Sequence, residues 1–163
     1  EGLISFVSTY RELLHLPVPD PEPLQVAALF RDLVILNQEK LAGIDVQHDV
    51  VPESLAVTAD RQLLDQVLIN LMKNAIDAVS GSAEPTIRLV GRLDFGRTVL
   101  VVADNGPGIP AAILDQVFIP FFTTKRDGSG IGLSLSRQIM TAHNGDIVVA
   151  SSAAGTEINI IFQ

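Results

Sequence analysis

Apolar residues recur at helical spacing along "RQLLDQVLINLMKNAIDAVS", residues 61 to 80, and one face collects Leu64, Val67, Leu68, Leu71, Ala75 and Val79. Asp60 stands immediately ahead as an N-cap, and "SGSAEP" stops the run. A second helix is predicted from Leu24 to Leu41, with a stripe through Val26, Leu29, Phe30, Leu33 and Leu36. A third runs from about Ile131 to His143 and ends at Asn144-Gly145, a left-handed cap signal. Residues 1 to 16 place Leu3, Phe6, Tyr10, Leu13 and Leu14 at the same spacing, until Pro17, Pro19, Pro21 and Pro23 make helix impossible. That reads as a helix followed by a stiff linker.

Elsewhere the period is two. "GIDVQHDV" puts Ile44, Val46, His48 and Val50 on one face, and "SLAVTA" is expected to pair with it as a hairpin after the turn at Pro52. "TIRLVGRL" and "TVLVVAD" are joined by the short turn "DFGR", and "DIVVAS" with "TEINIIF" closes the chain. Residues 105 to 130 are rich in Gly and Pro and read mostly as loop. Helices and strands mix without regular alternation, so the expected class is α+β, with helices on one face of a mixed sheet.

Composition narrows the function classes. With 163 residues, 47% of them hydrophobic, the chain can bury one sizeable core, and a net charge of −8 argues against a nucleic-acid surface. The absence of cysteine excludes disulfides, thiolate metal sites and cysteine nucleophiles. No apolar run approaches the roughly 18 residues needed to span a bilayer, so direct membrane insertion is not expected. The opening "EGLISF" has neither a methionine nor a signal-peptide pattern and reads as a piece of a longer protein.

Chemistry is sought where polar residues interrupt the apolar pattern. Asn70, Asn74 and Asp77 fall within about 60° on the long helix, and Gln66 extends the stripe. Short amides and carboxylates there suit a bound ion or ligand, since an asparagine carbonyl is a hard oxygen donor for Mg²⁺; an ordinary exposed face or an amide network fits equally. "VVADNGPGIP" ends an apolar strand in Asp104, an acceptor suited to an amino group such as adenine carries, while Gly106 and Gly108 allow close backbone approach. Taken singly, a plain turn explains it better. In "DGSGIGLSLSRQI", Gly128, Gly130 and Gly132 lead into a helix whose free N–H groups suit phosphate, though a linker with a helix start would look the same. Lys125 and Arg126 stand near enough to meet phosphate, behind Phe118, Phe121 and Phe122.

The order of these elements resembles a known family. "NLMKNAIDA", "DNGPGIP", "FIPFFTTK" and "GSGIGLSLS" are similar to the N, G1, F and G2 boxes of the catalytic ATP-binding domain of bacterial sensor histidine kinases, most of all nitrogen-regulation and oxygen-sensing kinases. The resemblance implies the two-layer Bergerat sandwich, a mixed sheet of about five strands on about three helices with a mobile lid over ATP. It divides the chain into residues 1–23, the end of a dimerisation-domain helix plus linker, and residues 24–163, the catalytic domain. It also implies ATP and Mg²⁺ as cofactors, a cytoplasmic address with a parent that is free to be membrane-anchored, and a homodimeric parent whose isolated fragment is a monomer. A histidine on the dimerisation domain and a downstream response regulator would be the partners.

Residue by residue, the resemblance implies that Asn74 supplies the Mg²⁺ ligand with Asn70 beside it, and that Lys125 joins them in catalysis. Asp104 would take the adenine amino group, supported by Thr156, with Gly106 and Gly108 shaping the pocket. Gly128, Gly130 and Gly132 would form the lid hinge and phosphate turn. Asp77, Ile109, Phe118, Thr123, Thr124, Ser129, Ile131 and Leu133 complete the expected nucleotide contacts, and Phe118, Phe121 and Phe122 would fasten the lid and meet the dimerisation domain. One departure concerns Asp77: many relatives carry a basic residue there, so neutralising phosphate would fall to Lys125 or Arg126.

ATP-hydrolysing members of the wider superfamily place a glutamate four residues before the metal asparagine, where this chain has Asn70. An amide cannot take a proton from water, so the site resembles one that holds ATP for attack by another group. None of His15, His48 and His143 resembles the acceptor: His15 lacks the expected acidic run, His48 reads as a packed core residue, and His143 reads as a helix cap. A degenerate nucleotide-binding module and an anti-sigma-type serine kinase share the fold and remain the alternatives.

Overall fold

A computed structural model describes residues 16–125 and 128–163. The helix expected over residues 1 to 16 lies, but for Leu16, outside the described residues, as do His15 and Arg126. Among the described residues, seven strands and four helices follow in order: β1 (Glu22–Gln25), α1 (Val26–Leu36), β2 (Asp45–Val51), β3 (Ala56–Ala59), α2 (Arg61–Val79), β4 (Thr86–Asp94), β5 (Arg97–Asp104), α3 (Ala111–Leu114), α4 (Gly132–Ala142), β6 (Asp146–Ser152) and β7 (Gly155–Phe162). None of these helices is long and apolar enough to cross a membrane.

Five strands form one mixed sheet in the order β2-β4-β5-β7-β6, parallel between β2 and β4 and antiparallel elsewhere. Period-two patterning turns Ile87, Leu89, Leu100, Val102, Ile158 and Ile160 to the helical layer. There they meet Phe30 and Leu33 of α1, Leu64, Leu68, Leu71 and Met72 of α2, and Ile139 and Met140 of α4. The α+β two-layer expectation is met, and all six residues assigned to the apolar face of α2 are buried.

The N-terminal third departs from the local reading. Leu24 belongs to β1, and α1 ends at Leu36, not Leu41, because residues 37–43 form turns that close on a left-handed Gly43. The expected β2–β3 hairpin does not form. β3 pairs with β1, Leu24 opposite Val57, while β2 crosses over α2 to lie parallel to β4. Energetics favour this arrangement: β3 buries Val57 and Ala59, about 1.5–3 kcal/mol for a valine, whereas doubling the length of a connection costs only ~0.6 kcal/mol. His48, expected in the core, is exposed on β2, the outermost strand, while Val46 and Val50 of the same face are half-buried against the core.

The start of α2 is fixed by its predicted cap. Asp60 Oδ1 accepts the Leu63 N–H at 3.0 Å, and Oδ2 accepts the N–H of Asp20 at 3.0 Å. Both bonds hold the Asp60 carboxyl below its ordinary range, that from Asp20 contributing most. His143 occupies the C-cap of α4, and Asn144 follows with φ 56°, the left-handed ending that Asn-Gly predicts.

Candidate functional site

The polar stripe of α2, the end of β5, the following loops and the start of α4 enclose a cavity of about 790 Å³, within the range of small-molecule sites, roughly 300–1,000 Å³. Leu71, Ala75, Val102 and Ile158 give it an apolar floor. Asn70, Asn74 and Asp77 stand on one wall, Asp104, Gly108, Ile109 and Thr156 on another, and Thr123, Thr124, Lys125, Gly128, Ser129, Gly130, Gly132 and Leu133 at the mouth. Three expected contacts lie off its wall. Ile131, 2% exposed, turns into the core as the N-cap of α4. Phe118 packs on the core with the Arg137 guanidinium 3.5 Å over its ring. Gly106 packs the loop against α2, where an added Cβ would stand 2.7 Å from the Ala78 carbonyl oxygen.

Asp104 ends an apolar strand, and burial raises its carboxyl above the ordinary range. The N–H groups of Gly106 and Thr156 and the charge of Lys125 oppose that shift, Gly106 donating at 2.9 Å. The neighbouring Asn105 points away: its amide accepts from Thr86 N–H and donates to the Glu84 carbonyl, tying the loop to the start of β4. Ser151, not singled out from sequence, accepts the Ile109 N–H at 2.7 Å and lies 3.0 Å from the Thr156 hydroxyl. Its only signal is the inward parity of β6. Gly108, at φ 76°, would place a Cβ 1.9 Å from the Ser152 carbonyl oxygen, so glycine alone lets this loop lie against β6.

At the other end, Asn70 donates to Ser136 Oγ at 3.0 Å, and that hydroxyl donates to the Gly132 carbonyl at 2.9 Å. An added Cβ on Gly132 would fall 2.1 Å from Asn70 Oδ1, so the helix start approaches the asparagine as closely as backbone allows. The first-turn N–H groups of α4 thus open beside Asn70, an arrangement suited to an anion. Lys125 Nζ reaches over the stripe to Asp77 Oδ2 at 2.7 Å and Asn74 Oδ1 at 3.2 Å.

Among the described residues no cluster of three or more His, Cys, Asp and Glu side chains stands together, so a cation here would need a ligand's own oxygens or water to complete its shell. Asn74 Oδ1 already faces one cationic group, the Lys125 ammonium. The donor set fits a metal carried in on phosphate.

Residues 59–163 match the family described as "Histidine kinase-, DNA gyrase B-, and HSP90-like ATPase". The C4-dicarboxylate transport sensor protein DctB of Rhizobium meliloti is 37% identical over 82% of this chain, and the signal transduction histidine-protein kinase AtoS of Escherichia coli is 37% identical over 80%. The chain spans 22% of the length of each. The solved catalytic domain of histidine kinase ThkA superposes with a TM-score of 0.80 at 32% identity, covering 88% of this chain and 95% of that one. With the family matched over most of the chain and nearly the whole of a kinase catalytic domain overlaid on it, this chain belongs to that ATPase family as the catalytic domain of a sensor histidine kinase.

Proposed function

We propose that the cavity binds Mg²⁺-ATP and presents the γ-phosphate to a histidine on a separate helical dimerisation domain. The observation that carries this is the joining, in one cavity, of Asp104 at one end with Asn70, Asn74 and the glycine turn at the other. Asp104 accepts from the adenine amino group, with Thr156 and Ser151 holding its surroundings, while Ile109 and Leu133 close on the ring. Bound Mg²⁺ would neutralise phosphate charge, and Asn74 would hold it. Asn70 orients the α4 start, whose N–H groups receive phosphate oxygens together with Ser129, Thr123 and Thr124. Lys125, paired with Asp77, stands at the same end of the cavity.

Asn70 decides between hydrolysis and transfer. Already donating to Ser136, it is no base for water, so the phosphoryl group awaits another acceptor. Residues 1–23, the last two of which already pair with β3, are read as the end of the acceptor domain and its linker, in a dimeric cytoplasmic parent. A response regulator is the onward partner, by analogy with ThkA, solved in complex with the response regulator protein TrrA. Mixing this chain with its parent's dimerisation domain and labelled ATP tests the reading. Acid-labile label on a histidine, lost with Asn74→Ala, is expected; no label, or equal label with the variant, overturns it.

A further inference from the structure

Asp77 is an anomaly in a site built for a polyanion. One turn beyond Asn74 on the same stripe, its carboxylate lines the cavity and would repel a triphosphate. Its described ion-pair partner is Lys125, from the loop opposite, with side chains 42% and 45% exposed. The loop is shaped for the reach: Lys125 N–H donates to Thr123 Oγ1, Phe122 N–H to the Ile119 carbonyl and Phe121 N–H to the Gly130 carbonyl. These bonds turn the chain so that the ammonium crosses the cavity mouth to α2.

We propose that Asp77 is a positioning residue for Lys125: its carboxylate fastens the loop to α2 and rests the ammonium on the Asn74 oxygen before nucleotide arrives. The role of the pair once nucleotide is bound rests on the proposed Mg²⁺-ATP function. Were Asn74 to hold a metal, Lys125 would give up that oxygen and keep Asp77, whose charge it would cancel. Asp77 and Lys125 thus act as one neutral unit, and either alone is a fault. Lys125→Met leaves an unpaired anion facing phosphate, while Asp77→Asn leaves a cation without a seat.

Hydrogen exchange of the 119–125 amides in the nucleotide-free chain tests the tether, with folding of each variant checked by circular dichroism. Asp77→Asn and Lys125→Met should each speed exchange about two- to fivefold, the scale of an exposed ion pair, with the double variant no faster than either. Asp77→Glu should restore protection. Unchanged exchange in Asp77→Asn, or single effects that multiply in the double variant, overturns the tether. In Mg²⁺-ATP titrations, Asp77→Asn added to Lys125→Met should recover affinity; no recovery overturns the charge-cancelling role. Coupled exchange in a chain without Mg²⁺-ATP affinity would sink the proposed function and leave the tether standing, and binding without coupled exchange would do the reverse.

Discussion

The backbone N–H of Asp60 donates to Nε2 of His143 at 3.0 Å, and Nδ1 of the same ring lies 2.7 Å from the Ile139 carbonyl oxygen. One imidazole therefore joins the start of α2 to the end of α4, the two helices whose polar residues frame the cavity. His143→Ala removes both links and strands a part-buried donor, which costs about 1 kcal/mol. The expected fall in melting temperature is ~2–4 °C for a domain of this size, read by calorimetry. An unchanged melting temperature would show that the ring contributes no net stability.

Asp60 itself makes stability pH-dependent. Its carboxyl is held below the ordinary value of 3.8 by the N–H groups of Asp20 and Leu63, so its contribution is present above about pH 4. That contribution is lost as pH falls through the depressed value. Asp60→Asn keeps a good cap but cannot titrate, so acid unfolding below about pH 4 should be shallower in the variant. Identical acid limbs in thermal melts would refute the assignment.

Asp104 runs the other way. Because burial raises its carboxyl, the protonated form suits the fold; its favourable contribution is full below about pH 3.9 and is lost as pH rises through the raised value. At neutral pH the ionised group costs stability. Asp104→Asn should melt no lower than the wild type while weakening ATP about ten- to a hundredfold, the scale of a hydrogen bond to a charged acceptor. ATP affinity of the wild type should also fall on acidification, starting above the ordinary aspartate range. Calorimetric titration across pH 4 to 8 checks both.

Gly132→Ala should separate site from fold. Its Cβ displaces a single side-chain amide, that of Asn70, which breaks the Asn70–Ser136 bond. Mg²⁺-ATP affinity is expected to drop roughly two- to tenfold, the scale of one neutral hydrogen bond, with circular dichroism unchanged. Unaltered affinity would mean that Asn70 lies outside the phosphate region.

What was legible in the sequence depended on distance along the chain. The burial of Leu68 and Leu71, the Asp60 cap and the β4–β5 turn are all set by neighbours within a few residues, where periodicity and turn chemistry decide. The β2–β4 pairing was illegible because β2 pairs across α2, and no local signal says that β3 prefers β1. His48 shows the same limit: alternation assigns a face, but only the strand order makes β2 an edge. Motif order was enough to single out Asn74, Asp104 and Gly130, all of which line the cavity. Ser151 escaped because a serine on an inward strand position carries no pattern. The Lys125–Asp77 pair escaped because 48 residues separate its partners.

The β1–β3 ribbon has a mechanical consequence. Leu24 is zipped to Val57, and Asp20 is tied to Asp60, so tension on the chain ahead of Asp20 enters at the foot of α2. Asn74 lies roughly 21 Å up that helix at 1.5 Å per residue. A tug from that side is borne by two strands and a capped rod before it reaches the cavity. A load entering there would act on the ribbon and the foot of α2 before it acts on Asn70, Asn74 and Asp104.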